Sequence, residues 1–355
     1  MSEQTILESM LERGNLKEAW SKVKANAGSA GIDQRTIAQT QSHLEVHWPG
    51  IAQKLMSSSY RPGAIRPAVI LKKNGGTRQL GIPNVQDRLI QQAMLQVLNP
   101  MFDPEMSAHS YGYRAGRSAQ DAIASARSYV LSGKTWVVDI DLKNFFDQID
   151  HDKLMHQVSR RVRDKRVLKL LGAYLRAPLQ TATGEHQRRL RGTPQGGPLS
   201  PLLANIYLDP LDKELESRGL DFVRYADDIA IFVGSERAAE RVLEQMTEWL
   251  AKHLKLEVNR DKSGTGKSDQ SKLLSVRIHC DGQISVAAQS IKELKDDCMD
   301  AGGRATQEQL PSRSGNCGTR DKVGGLWKSN RTGSASSSDG GITSRSPRIE
   351  RASPD

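Results

Sequence analysis

The sequence predicts an α+β fold, an antiparallel sheet flanked by helices, on three observations. Phe222-Val-Arg-Tyr-Ala-Asp-Asp-Ile-Ala-Ile-Phe-Val233 sets two β-favouring runs around adjacent carboxylates, a hairpin with Asp227 and Asp228 at its tip. In Thr135-Trp-Val-Val-Asp-Ile-Asp-Leu-Lys-Asn-Phe-Phe-Asp147 an apolar strand ends in Asp139 and Asp141 and enters a loop bearing Phe145 and Phe146. Segments between such strands carry apolar residues at helical spacing. Adjacent Asp side chains repel unless solvent or a cation offsets the charge. Two strands that end in Asp at one sheet edge suit two-metal phosphoryl transfer, because hard Mg²⁺ ions take carboxylate oxygens plus substrate phosphates.

A chain of 355 residues exceeds one ordinary domain, and its net charge of +10 suits a polyanionic partner. No apolar run approaches the roughly 20 residues that span a bilayer, and Met1-Ser-Glu-Gln-Thr has no signal-like start. The expectation is a soluble, cytoplasmic protein with no membrane partner. Cys280, Cys298 and Cys317 are odd in number and too far apart for a zinc knuckle or a disulfide framework.

The elements follow in order. Leu16-Lys-Glu-Ala-Trp-Ser-Lys-Val-Lys24 has helical composition and stops at the glycines of Asn26-Ala-Gly-Ser-Ala-Gly31; a second helix spans 44–56. Two β-type runs flank Asn74-Gly-Gly76, and cations on both arms, Lys72 and Arg78, suit a hairpin that folds over a nucleotide triphosphate. Val85, Leu89, Ile90, Ala93, Met94, Val97 and Leu98 define a packing helix ending near Pro100. Ser110-Tyr-Gly-Tyr-Arg-Ala-Gly-Arg-Ser118 groups aromatics with Arg114 and Arg117, which read as phosphate contacts to a template or nucleotide, and Ser118 with Asp121 forms a capping box for a helix to Leu131. Residues two apart on a strand share a face, so alternation does not choose between Asp139 and Asp141.

Asp150-His-Asp-Lys153 starts a helix, and His151 receives no catalytic role. The run Arg160-Arg-Val-Arg-Asp-Lys-Arg166 reads as one solvated helix face. In Thr193-Pro-Gln-Gly-Gly-Pro-Leu-Ser-Pro201, Gly196 and Gly197 let the backbone approach a base or sugar, and the prolines stiffen the entry to a helix. Ser235 caps a helix whose apolar residues run to Leu254, and a strand and turn follow in 256–262. After 296 the composition turns to Gly and Ser with Trp327 as the one aromatic, and disorder is expected over 297–355.

Tyr225-Ala-Asp-Asp228, Asp141-Leu-Lys-Asn-Phe-Phe-Asp147, the Ser110–Ser118 block and Pro194-Gln-Gly-Gly197 together resemble bacterial group II intron-encoded reverse transcriptases and maturases, over residues 31–296. The resemblance implies a right-hand polymerase fold: an N-terminal extension (1–60), fingers (61–131) and a palm (132–296), with no recognisable thumb. It implies RNA-directed DNA synthesis with two Mg²⁺ ions held by Asp141, the Leu142 carbonyl, Asp227 and Asp228, and it favours Asp141 over Asp139. It also implies Lys72 and Arg78 on the triphosphate, Phe146 as a steric gate against ribonucleotides, Gln195 at the templating pair, and Gly196 in the lining of the nucleotide pocket. Expected partners are group II intron RNA, an RNA template with a DNA primer, and dNTPs. At 272–279 the resemblance weakens: Ser275 replaces a glycine and two aromatics are lost, which bears on primer holding. The abrupt loss of resemblance after 296 suggests a frameshifted or truncated gene. A retron-type enzyme, or a non-catalytic RNA-binding splicing factor, is the alternative.

Overall fold

A computed structural model of the chain describes residues 5–71, 77–181 and 184–286, with the side chains of 71–79 outside that description. Lys72 and the expected disordered tail therefore lie outside the described residues, as does the side chain of Arg78.

Helices α1 (Ile6–Leu11), α2 (Arg13–Ala25) and α3 (Ile37–Met56) precede an antiparallel hairpin of β1 (Arg66–Leu71) and β2 (Thr77–Ile82). Next come α4 (Val85–Phe102) and α5 (Ala119–Leu131); the Ser118 hydroxyl accepts from Asp121 N and the Asp121 carboxylate accepts from Ser118 N, closing the expected capping box. Strand β3 (Trp136–Asp141) leads into α6 (Phe145–Gln148), α7 (His151–Ser159) and α8 (Lys165–Leu175). A short pair, β4 (Leu179–Gln180) and β5 (His186–Gln187), is followed by α9 (Ser200–Ser217), β6 (Asp221–Tyr225), β7 (Asp228–Val233) and α10 (Glu236–Trp249). The described chain ends with β8 (Gly264–Lys267) and the hairpin β9 (Val276–Ile278)–β10 (Ile284–Val286).

The central sheet is antiparallel in the order β6-β7-β3-β8. Alternation splits its side chains between two cores. Val138, Ile140, Ile229, Ile231 and Phe222 join the larger core with residues of α4, α9 and α10. Val137, Val223, Ala230 and Phe232 pack on Ala122, Ala126 and Val130 of α5. The second face continues along β3 and β7 to Asp139, Asp141 and Asp228, where Asp228 is open to solvent.

Two sequence expectations are corrected. The Arg-rich run 160–166 is the junction between α7 and α8 and no single helix: Val162 is buried, and Asp164 caps α8 by accepting from Arg166 N. Two of its four arginines are engaged, Arg161 with Met101 O and Glu105, and Arg166 with Asp164 and Glu8, while Arg160 and Arg163 are exposed. The strand expected within 256–262 reduces to a single bridge, Val258 to Leu142, and β8 begins only at Gly264. Among the described residues, no helix is long and apolar enough to cross a membrane.

Candidate active site

The pairing register builds the site. Asp141, the last residue of β3, lies directly opposite Asp228, the first of β7, while Asp139 lies opposite Ala230. Directly opposed residues have Cβ atoms about 4.5–5.5 Å apart on one face, so two carboxylates meet at the strand ends. Asp227 stands in the adjoining turn. Asp228 is reached by solvent from one side and walled by protein on the others; burial, then Asp139, Asp227 and Asp141, push its carboxyl up to about 7, with Lys272 opposing. Burial also pushes Asp139 up to about 6.

Asp141 is half-exposed and held from a distant loop. Asn259 Nδ2 donates to its Oδ2 at 3.0 Å, Lys262 Nζ lies 3.8 Å from the same oxygen, and Ser263 Oγ accepts from its backbone N. Leu142 and Val258 form a non-hydrogen-bonded pair, because the ladder bonds run from Lys143 N to Glu257 O and from Asn259 N to Asp141 O. The Leu142 carbonyl therefore points away from Val258, toward the side of β3 where β7 lies.

The turn that presents Asp227 and Asp228 is fixed from beneath. Ala226 takes φ +62°, a left-handed conformation costing roughly 1–2 kcal/mol in a non-glycine residue. Arg224, wholly buried, donates to Ala226 O at 2.9 Å, Asn205 Oδ1 at 2.9 Å and Ser110 Oγ at 2.7 Å, and forms a two-point ion pair with Asp212 at 2.6 and 2.7 Å. Gly112 lies against the same turn, where a Cβ would come within 2.2 Å of Ala226 N. The Ser110–Ser118 block thus braces the acidic turn as a backbone partner, Tyr111 N donating to Arg224 O. Arg224, Asp212, Asn205, Asn259 and Lys262 were not singled out in the sequence. An arginine in a strand of otherwise apolar residues was the available signal for Arg224.

A cleft of about 490 Å³ collects Phe146, Gln195 and Gly196 with Tyr113, Arg88 and Lys22. Phe146 is fixed by the backbone that follows β5: Thr193 N donates to Phe146 O, and Gly192, at φ +80°, leaves room that a Cβ would fill at 2.8 Å from the same oxygen. Gly196, at φ +138°, is required by β2, since a Cβ there would lie 2.7 Å from Gly81 O. Hairpin β1–β2 is thereby seated against the cleft, with Arg78 opposite Ile70 in its register.

Arg114 corrects the expectation of a phosphate contact. Its guanidinium is buried and spent on Asp103 Oδ1, Asp103 O, Ser107 O and Ser110 O, so it ties the loop to the end of α4. Arg117 is half-exposed, donates to Ala108 O, and stacks over the Tyr111 ring at 5.5 Å. His151 is buried and bonds Gly192 O through Nε2.

Among the described residues, no three His, Cys, Asp or Glu side chains converge into a ready-made metal cage. The donor set nevertheless fits Mg²⁺, which is held through one or two carboxylates plus substrate phosphates and retains waters, and whose charge would offset the crowding of carboxylates about Asp228.

Residues 70–278 match the reverse transcriptase (RNA-dependent DNA polymerase) family. Protein YkfC of Escherichia coli K12 is 32% identical over 275 residues, covering 67% of this chain and 72% of its own length. The group II intron-encoded protein LtrA of Lactococcus lactis is 38% identical over 164 residues, 46% of this chain and 27% of its own. An apo telomerase structure from Candida tropicalis shares the fold at a TM-score of 0.50 and 13% identity, covering 67% of this chain and 53% of that one.

Proposed function

The chain belongs to the reverse transcriptase family, the RNA-dependent DNA polymerases, and on that premise we propose that it is the polymerase of a group II intron, extending a DNA primer on an RNA template with dNTPs. The fold is that of a right-hand polymerase, and RNA is its class of partner. The observation that carries the reading is the register that sets Asp141 against Asp228 at the ends of β3 and β7, beside Asp227 in the turn. The intron assignment draws support from relatives named as intron-encoded proteins; the chain spans about a quarter of LtrA's length, and roles in splicing and mobility are part of the proposal. We also place the protein in the cytoplasm, with intron RNA as its partner.

Asp141, Asp227, Asp228 and the Leu142 carbonyl are the groups that would hold two Mg²⁺ ions. Bound there, such ions lower the pKa of a primer 3′-hydroxyl and neutralise charge on the leaving pyrophosphate. The chain's residues do the rest. Asn259 and Lys262 orient Asp141. Arg224 and Gly112 set the height of the turn that presents Asp227 and Asp228. Phe146, fixed at the cleft wall, excludes a 2′-hydroxyl by contact, while Gln195 and Gly196 face the templating pair. Lys72, Arg78 and Arg117 supply cations for the triphosphate and template. Arg114 does not, since its guanidinium is buried and tied to Asp103, Ser107 and Ser110.

The test is metal-dependent extension of a DNA primer on an RNA template by the full chain. Extension lost in Asp227→Ala, and ribonucleotide incorporation gained in Phe146→Ala, are the expected results. A folded chain that binds RNA yet never extends a primer, at any divalent metal concentration, would leave the RNA-binding alternative standing.

A further inference from the structure

Phe146 is carried on α6, a helix of four residues whose own hydrogen bonds are too few to hold a ring in one place. Its position comes from the segment 191–193 laid along it. Arg191 pairs with Asp150, Gly192 N donates to Ile149 O at 2.7 Å, and Thr193 N donates to Phe146 O at 2.8 Å. At the centre of that contact His151, the first residue of α7, bonds Gly192 O through Nε2 at 2.8 Å. A carbonyl only accepts, so Nε2 carries the proton. Burial, aided by Arg189 and Arg176, holds the imidazole pKa below its usual value against the Gly192 bond and Asp150, so the ring is neutral near pH 7. Gly192 is thus gripped through both its N–H and its carbonyl by residues 149–151. It is buried, and its carbonyl would be left unpaired without the imidazole.

Gly192 also leads into the loop that bears Gln195 and Gly196. Thr193 Oγ1 bonds Ser200 Oγ at 2.9 Å, Ser200 Oγ donates to Pro194 O at 2.7 Å, and Gln195 O accepts from Gly81 N at 3.0 Å. The loop is therefore tied to α9 and β2 on one side and to His151 on the other. We propose that His151 is a positioning residue for nucleotide selection: its Nε2–H fixes the Gly192 carbonyl, and through it the separation between the Phe146 ring and the loop bearing Gln195 and Gly196, so that the space left for the sugar admits no 2′-hydroxyl. This rests on the reading of Phe146 as a gate given above. His151 does not line the cleft and acts only through the backbone. A gate that works by contact tolerates less slack than the size of the oxygen it excludes, and a buried carbonyl that loses its donor either moves or stays unpaired.

The experiment measures kcat/KM for one dNTP and for the matching rNTP on a DNA primer and RNA template with the full chain, alongside the urea midpoint. His151→Leu should lower the preference for the deoxynucleotide by about tenfold, chiefly by raising kcat/KM for the rNTP. His151→Gln, whose amide nitrogen reaches Gly192 O, should keep the parent's preference. His151→Asn, too short for that reach, should relax it, and decides the matter where His151→Leu does not fold. Val158→Ala, which hollows the buried side of the same helix, should lower the urea midpoint and leave the preference unchanged, a separation that a merely structural role of His151 would not give. Relaxed preference in Phe146→Ala beside parent-like preference in His151→Leu and His151→Asn overturns this inference alone, as does a His151→Gln variant relaxed as far as His151→Leu. Unchanged preference in Phe146→Ala overturns the gate and this inference with it, and a parent chain that extends no primer overturns the polymerase reading.

Discussion

A guanidinium with no exposed surface is costly unless its donors are used, and Arg224 uses its donors on Asp212, Asn205, Ser110 and the carbonyl of Ala226 in the acidic turn. Arg224→Met should cost about 3–5 kcal/mol, chiefly by leaving Asp212 buried and unpaired. Adding Asp212→Leu should recover much of that stability, read from the denaturant midpoint, without recovering primer extension, because Ala226 O still lacks its donor. Recovery of both would mean that Arg224 serves stability alone. A smaller strain sits in the hairpin beyond Lys272. Ser275 occupies a left-handed position where the sequence resemblance has glycine. Relief of roughly 1–2 kcal/mol of strain, less the backbone entropy glycine adds, leaves Ser275→Gly about 0.5–1 kcal/mol more stable, measurable in urea unfolding.

Asp87 joins three elements. It lies on α4, fully enclosed, and accepts from Tyr60 OH in the loop after α3 at 2.7 Å, Gly63 N of the same loop at 3.0 Å, and Tyr174 OH of α8 at 3.3 Å. Those donors favour the carboxylate, but burial outweighs them and pushes the group from 3.8 up to about 6. The native state therefore holds a proton that the unfolded chain has released between those two values. Stability contributed by Asp87 is present at low pH and declines as pH rises through that window, by up to about 1.4 kcal/mol per pH unit. Comparing unfolding of the parent and Asp87→Asn from pH 4 to 7 checks this: the difference between them should change across the window and flatten above it. A constant difference would show that Asp87 is ionised throughout.

Across the whole molecule, the sequence was legible where chemistry and local structure use the same residues. The β6–β7 hairpin, the capping box at Ser118 and the α4 stripe follow from local patterning, and Asp141 and Asp228 meet because both strands end where their apolar runs end. It was less legible where a role depends on distant partners. Arg114 has the composition of a phosphate contact, but the carbonyls of Asp103 and Ser107 claim it; Asn259 reaches Asp141 across 118 residues; and Asp164 divides an Arg-rich run into two helices by capping the second. The central claim is that the carboxylates at the ends of β3 and β7 form one metal site. Its most direct test is Mn²⁺ binding, by electron paramagnetic resonance, to the full chain carrying a dideoxy-terminated primer, an RNA template and the matching dNTP. The account predicts two tightly bound ions in the parent, and loss of tight binding in Asp141→Asn and in Asp228→Asn with the primer–template still bound. Parent-like Mn²⁺ binding in both variants would contradict it.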